Sequence, residues 1–186
     1  MLLSILIPTL TDRKKKFDFI CNKIQDQIQA KGLGQEIEIL FFEDNRKHSI
    51  GHKRNWLIEQ AVGKYIMFVD DDDDVSYDFI EKIYEGLLTD PDCISLVGII
   101  TFSGNNPKQF IHSIKYNKYF EKDNVYFRPP NHLNPIRRDI AVKFPFKEIN
   151  FAEDTDYAMR ICNAGLLKKE YEISKPYYYY KFDPVK

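Results

Sequence analysis

The first hundred residues alternate between short apolar runs and longer amphipathic runs. Continuous apolar stretches at residues 3–8, 37–42, 65–69 and 94–100 lack the polar alternation of half-exposed strands, which is typical of buried ones. Between them, apolar side chains recur every three or four residues, as on one face of a helix. This order predicts an α/β fold with a mostly parallel central sheet flanked by helices. The predicted helices cover about residues 17–28, 52–61 and 79–87.

The second half of the chain has a different pattern. Residues 103–130 are polar and aromatic with weak periodicity, and we interpret them as a long excursion that could contain a hairpin. A short strand near residues 133–136 and a short helix from Asp139 are expected next. A further helix over about residues 152–163 is expected to end at Gly165.

Composition is that of an ordinary globular protein. The 186 residues carry a net charge of −1, which argues against a nucleic-acid partner held by bulk electrostatics. The three widely spaced cysteines fit neither a disulfide framework nor a zinc site, and they favour a reducing, cytoplasmic location. The apolar start lacks a basic segment, so we interpret it as a strand rather than a signal peptide. The longest apolar run, at residues 93–102, is too short to cross a bilayer, and we expect no membrane span.

Five consecutive aspartates follow the third predicted strand, in the segment KYIMFVDDDDDV at residues 64–75. Glu43 and Asp44 follow the second predicted strand in the same way. Because ligands of open α/β sheets bind beyond the carboxyl ends of the strands, both acidic segments are expected at one ligand-binding rim. This placement favours a binding site over a solvated acidic tail.

Side chains alternate along a strand, so Asp70 and Asp72 can face one side together. Carboxylate oxygens are the ligands preferred by Mg²⁺ or Mn²⁺, and Mg²⁺ is usually held by one or two of them with substrate phosphates. A strand-end Asp-x-Asp therefore suits a metal–diphosphate complex. The alternative is that some of these acids only favour the N-terminus of the next helix, above all Asp73 and Asp74.

Four segments share their order and spacing with a known family. They are the opening strand SILIPTL, the acidic EDN at 43–45, the unit GHKRNWLIEQAVGKYIMFVDDDDDV, and FAEDTDYAMRI at 151–161. The third contains an Arg-Asn pair before a Gly and an Asp-x-Asp (DXD) strand, and the fourth a Glu-Asp pair. Together they resemble the family 2 glycosyltransferases with the GT-A fold.

The resemblance implies a single GT-A (Rossmann-like) domain over residues 1–186. Residues 1–102 would form the nucleotide-sugar-binding half, and residues 103–186 an acceptor-side half with a smaller sheet region. It implies metal-dependent, inverting transfer of a sugar from a UDP-, GDP- or dTDP-sugar to a glycan or other hydroxyl acceptor. The implied cofactor is Mn²⁺ or Mg²⁺.

The resemblance also implies roles for individual residues on the donor side. Asp72 would contact the metal directly with Asp70 beside it, although the extra acids leave the register open by one residue. Lys53 and Arg54 suit a diphosphate chemically, with a solvated helix face as the alternative. The residues implied to border the nucleotide sugar are Pro8, Thr9, Asp44 (through base or ribose), Lys53, Arg54, Asp70 (through ribose) and Asp71.

Transfer with inversion needs a general base for the acceptor hydroxyl. The resemblance assigns this role to Asp154, with Glu153 beside it. The alternative is that both acids only favour the first turn of a helix. On the acceptor side we consider His132, Tyr177 and Tyr179, since aromatic rings can stack on sugars; a satisfied histidine and a core-packing strand are the alternatives.

Two other functions remain open at this stage. Sugar nucleotidyltransferases share a related sheet, but they carry a glycine-rich phosphate loop after the first strand, and TLTDRKKKF contains no glycine. A non-catalytic module that binds a nucleotide sugar or a divalent cation is the second. The Glu153-Asp154 pair argues against it.

Overall fold

The computed structural model describes residues 1–182, and in this part of the chain the strands form two six-stranded sheets. The strands are β1 (Leu3–Leu10), β2 (Ile37–Asp44), β3 (Tyr65–Phe68), β4 (Asp74–Val75), β5 (Cys93–Ile94), β6 (Leu96–Phe102), β7 (Asn105–His112), β8 (Phe120–Lys122), β9 (Val125–Arg128), β10 (Ile136–Arg137), β11 (Glu170–Tyr171) and β12 (Tyr178–Phe182). The helices are α1 (Lys14–Ala30), α2 (Ile50–Gln60), α3 (Phe79–Leu87), α4 (Arg138–Ala141) and α5 (Glu153–Ala164).

The first sheet has the strand order β11-β5-β10-β3-β1-β2 and confirms the predicted α/β class. Strand β1 pairs in parallel with β2 and β3, so the carboxyl ends of these three strands meet at one rim. The sheet is mixed, because β10 runs antiparallel to both of its neighbours. The parallel part is the one that delivers Asp44 and the aspartate run to the rim.

The second sheet, with the order β4-β12-β6-β7-β9-β8, is larger than the sequence suggested. Residues 103–130 contribute three of its strands instead of an irregular excursion. The run at 94–100 is also divided, because β5 lies in the first sheet and β6 in the second. Ser95 joins them, and its carbonyl accepts a hydrogen bond of 2.7 Å from the Tyr177 hydroxyl.

Both faces of the first sheet are covered by helices. Along β1, Ile5 and Ile7 belong to the apolar cluster that contains α1 and α3, whereas Leu6 belongs to the cluster that contains α2 and α5. Each such buried side chain contributes roughly 1.5–3 kcal/mol of transfer free energy. Burial on both sides explains why the strands read as continuous apolar runs. None of the helices in residues 1–182 has the length and apolarity needed to cross a membrane.

Helix α2 approaches the segment before α5 so closely that only glycine fits at the contact. A Cβ added to Gly51 would lie 1.8 Å from the carbonyl oxygen of Lys147, which is backbone and cannot rotate away. Asn55, one turn further along, exchanges two hydrogen bonds with the backbone of Phe146, at 2.7 and 2.9 Å. These contacts fix the chain that leads into α5.

We expect Gly51→Ala to lower the free energy of unfolding by about 1–3 kcal/mol, because the added methyl forces α2 away from Lys147. Gly34→Ala is the matched control, since a Cβ at Gly34 meets no atom within 4 Å. Urea denaturation of both variants measures the effect. Equal stabilities for the two would contradict the close approach seen here.

Candidate active site

A cleft of about 520 Å³, here called the first cleft, lies at the rim where β1 and β3 end. Acidic and basic side chains from several elements meet in it. Its lining consists of Pro8, Thr9, Leu10, Arg13, Arg46, His48, Ile50, Lys53, Arg54, Asp70, Asp71, Asp72, Asn150, Glu153, Tyr180, Lys181 and Phe182. The structure thus brings Pro8, Thr9, Lys53, Arg54 and the first three aspartates together.

Asp71 is buried and ties the aspartate run to the first strand. Its carboxylate accepts a hydrogen bond of 2.7 Å from the Thr9 hydroxyl and one of 2.9 Å from Arg13. Burial raises the pKa of Asp71 in spite of these two donors. The same guanidinium lies 3.5 Å from the Asp72 carboxylate. Arg13, which belongs to none of the four sequence motifs, therefore spans two of the aspartates.

Asp73 and Asp74 are held from the other side. The Tyr178 hydroxyl donates to Asp73 at 2.8 Å and accepts from the backbone N–H of Asp70 at 3.2 Å. Burial, followed by the charge of Asp70, raises the pKa of Asp73 well above its usual range. Asp74 pairs with Lys23 of α1 at 2.6 Å. Both side chains thus support the turn.

Arg54 is the buried hub of the site. Its guanidinium pairs with Glu153 and lies 3.3 Å from Asp70, and it donates to Nε2 of His132 at 3.0 Å. It also stands over the ring of Phe68 at 5.6 Å. Although burial opposes ionisation, His132 and Arg54 lower the pKa of Asp70. One arginine thus connects the aspartate run with the start of α5.

Asp44 holds the loop beside the first cleft but does not line it. It accepts backbone N–H bonds from Lys47 and His48 at 3.0 and 2.8 Å, and it pairs with Lys53. Burial would raise the pKa of Asp44, but Lys53 and His48 lower it to about 2. The contact of Asp44 with base or ribose stays a prediction, for a carboxylate that lies beside the first cleft and not in its lining. His48 and Arg46, from the same loop, line the cleft instead.

A second cleft of about 330 Å³ adjoins the first. The two share Arg54, Asp70, Asn150, Glu153 and Tyr180, and the lining of the second also includes Ile100, Phe110, His112, Arg128, Asn131, His132, Leu133, Phe151, Ala152, Asp154 and Thr155. Ala152 has a φ of 62°, a left-handed turn that starts α5 and places Glu153 and Asp154 in its first turn. The linings of the two adjoining clefts together contain the first three aspartates of the run and the Glu153-Asp154 pair.

Glu153 and Asp154 have different surroundings. Glu153 is buried against Arg54. Asp154 is half-buried, and no Lys, Arg or His nitrogen in residues 1–182 lies within 4.0 Å of its carboxylate. Its neighbour is the Thr155 hydroxyl, at 3.5 Å. Asp154 is thus the carboxylate available to a molecule in the second cleft.

The tyrosines near the C-terminus differ in their surroundings. Tyr177 is 0% exposed in the core, and neither it nor Tyr179 lines the two clefts. Tyr180 lines both, and Tyr178 holds Asp73. Tyr178 and Tyr180 lie two residues apart in β12 and both reach the site, as side-chain alternation allows, whereas Tyr177 precedes the strand. His132 lines the second cleft.

Comparisons with known proteins agree with this geometry. The model of "Glycosyl transferase family 2" matches residues 19–170. The chain belongs to this family. A search among characterised proteins gives no significant match. S. aureus TarS 1–349 superposes with a TM-score of 0.61 at 15% identity, over 97% of this chain and 60% of that one. Its complex with UDP-GlcNAc gives 0.63 at 16%, over 98% and 59%.

These structural matches establish the GT-A-like fold of this family 2 chain. The chain spans about 60% of the length of the TarS 1–349 structures, including the complex with UDP, which superposes with a TM-score of 0.60 at 17% identity. The complex covers 99% of this chain and 61% of that one. Fold and family are therefore shown.

Family 2 enzymes typically use a divalent cation. No group of three or more His, Cys, Asp or Glu side chains in residues 1–182 forms a ready-made metal site. Mg²⁺, however, is usually held by only one or two carboxylates, together with phosphates and water. Asp72 and Asp70 both line the first cleft. These residues fit a cation that binds together with a diphosphate.

We expect Arg54→Met to lower the free energy of unfolding by about 3–5 kcal/mol, because it leaves the carboxylates of Asp70 and Glu153 without their shared cation. The matched control is Arg137→Met, whose loss frees only the exposed Asp139. Chemical denaturation compares the two. If Arg54→Met lowers the free energy of unfolding by no more than the control does, Arg54 is not the cation that stabilises these two buried carboxylates.

His112 predicts a pH dependence of stability. Its Nδ1 lies 3.1 Å from Oδ1 of Asn131, and burial together with the charge of Arg128 lowers its pKa from 6.5 to about 3. As pH falls below 6.5, the unfolded chain binds a proton that the folded chain does not, so stability falls by about 1.4 kcal/mol per pH unit.

We expect this term to disappear in His112→Gln and to persist in His52→Gln, which leaves the buried imidazole in place. Unfolding free energies measured between pH 6.5 and about 5 give the slopes. Identical slopes for wild type and His112→Gln would show that His112 does not bind its proton preferentially in the unfolded chain.

Proposed function

We propose that this chain transfers a sugar from a nucleoside-diphosphate sugar to an acceptor hydroxyl with inversion, with Asp154 as the general base. The observation that carries the proposal is the position of Asp154. It lies in the second cleft without a cationic partner among the described residues, beside a first cleft that contains the aspartate run. Family membership supports the reaction class.

The first cleft suits the donor. Arg13, Arg46 and Lys181 line it and offer positive charge to a diphosphate, whereas the buried Lys53 pairs with Asp44 and donates to the carbonyl of Thr9. Pro8 and Thr9 form its wall at the end of β1, which is where open α/β sheets bind nucleotides. The volume of about 520 Å³ is within the range of small-molecule sites.

A divalent cation would be held by Asp72 with Asp70. When bound, Mg²⁺ or Mn²⁺ supplies positive charge that stabilises the departing diphosphate. Arg13, 3.5 Å from Asp72, adds a fixed positive charge at the same place. The buried pair of Arg54 and Glu153 orients the start of α5 and thereby positions Asp154.

In the transfer, Asp154 takes the proton of the acceptor hydroxyl while the acceptor oxygen attacks the anomeric carbon. The bond from that carbon to the diphosphate oxygen breaks, and its electron pair leaves with the diphosphate. Attack from the face opposite the leaving group requires the base and the diphosphate site to lie on different sides of the sugar. Asp72 lines the first cleft and not the second, and Asp154 lines the second and not the first, which supports this arrangement.

We expect release of nucleoside diphosphate from one member of a panel of UDP-, GDP- and dTDP-sugars with Mn²⁺ or Mg²⁺. The panel starts with UDP-GlcNAc, the ligand in a TarS complex. Asp154→Asn should lower the transfer rate about 10²–10⁴-fold, the usual contribution of a general base, while donor binding measured by calorimetry persists. Asp72→Asn and metal removal with EDTA should weaken donor binding as well.

Asp156→Asn is the matched control. Asp156 lies in the same helix turn as Asp154 but pairs with Lys147 at 2.6 Å and with Arg160 at 2.7 Å. We expect its variant to retain transfer. Full activity in Asp154→Asn would show that the base is another group, and no binding of any donor would refute the assignment of the first cleft.

A further inference from the structure

Arg128, at the end of β9, is a cationic side chain of the second cleft to which the mechanism above gives no task. No carboxylate in residues 1–182 lies within 4.0 Å of its guanidinium. Two aromatic rings hold it instead, with the guanidinium 5.4 Å from the ring centre of Tyr119 and 5.7 Å from that of Tyr126. Arg54, in the same cleft, is paired with Asp70 and Glu153.

The neighbours of Arg128 leave its charge uncompensated at close range. His112, its partner in the β7–β9 register, is neutral, because burial and the Arg128 charge itself lower the pKa of the imidazole to about 3. Asn131 is uncharged and hydrogen-bonded to His112. An arginine held in place by rings, without a carboxylate, can present its fork to an oxyanion.

Arg128 and Asp154 face a common space. Both line the second cleft. The Tyr119 ring that holds Arg128 has a raised pKa, first because of burial and then because of the negative charge of Asp154. A molecule that offers a hydroxyl to Asp154 therefore has a guanidinium within the same small cleft.

We propose that the acceptor carries an oxyanion, a phosphate ester or a carboxylate, which pairs with Arg128 while the acceptor hydroxyl meets Asp154. This inference rests on the proposed function and names the class of its acceptor. Arginine suits both anions, because its planar fork donates two parallel hydrogen bonds to phosphate or carboxylate oxygens. Arg128 is thereby a specificity-determining residue and not part of the chemical step.

The test is a binding measurement on the full chain that needs no sugar transfer. Glycerol 3-phosphate is compared with glycerol, and glucuronate with glucose, by isothermal titration calorimetry. We expect wild type to bind at least one anionic probe about tenfold or more tightly than its neutral partner, as one charge-assisted hydrogen-bonded pair provides. The two anionic probes distinguish a phosphate ester from a carboxylate.

Variants of Arg128 and Arg13 show in which cleft the anionic probe binds. We expect Arg128→Gln to abolish the preference and Arg128→Lys, which keeps the charge, to retain part of it; melting temperatures show whether both are folded. Arg13→Gln removes an arginine of the first cleft and should keep the preference. The proposal is overturned if wild type has no preference, if Arg128→Gln keeps it, or if Arg13→Gln alone loses it.

The donor assay separates the two proposals. Suppose that the chain binds an anionic probe more tightly than its neutral partner in an Arg128-dependent way, but turns over no donor. The anion site would then stand, and the transferase proposal would be refuted. Suppose instead that the chain turns over a donor but binds the anionic and the neutral probes equally tightly. The transferase proposal would then stand, and the proposal of an anionic acceptor would be refuted. Each failure thus has its own result.

Discussion

The structure depends on how five adjacent carboxylates are kept from repelling one another. Each has a partner on another element, and two of them share one: Asp70 pairs with Arg54, Asp71 with Thr9 and Arg13, Asp73 with Tyr178 and Asp74 with Lys23, while Asp72 lies 3.5 Å from Arg13. The partners lie on β1, the turn after it, α1, α2 and β12. The aspartate run therefore holds together the elements that form the first cleft, and its geometry depends on all of them.

Arg54 extends this constraint to the second cleft. It pairs with Asp70 on one side and Glu153 on the other, so the helix that carries Asp154 is joined to the aspartate run by one buried cation. Buried ion pairs add little net stability once desolvation is counted, but loss of one member is costly. We interpret the hub as a positioning device. Gly51 and Asn55, on the same helix, support it by fixing the segment before α5.

Part of the fold could be predicted from the sequence because the burial of a strand or helix face fixes the spacing of its apolar residues. The runs that became β1 and β3 are buried on both faces, so their apolar residues are continuous and easily recognised, whereas β2 lies at the sheet edge and is only partly buried. Strands β7, β8 and β9 are only partly buried, and segments such as NNPKQFIH mix polar with apolar side chains, so the same criterion missed them. The division at Ser95 left no signal, since β5 and β6 are both apolar and only pairing assigns them to different sheets.

The sequence by itself determined the family, the order of the elements from β1 to α3 that lead to the first cleft, the placement of the acidic residues at the strand ends, and the presence of Asp154 beside Glu153. Only the tertiary structure decided which of these side chains meet. It left Asp44 outside the lining of the first cleft, brought Tyr180 into both clefts, and added Arg13 and Arg128. The physical reason is that periodicity records burial along one element, whereas ion pairs and cleft walls depend on the distance between elements far apart in the chain.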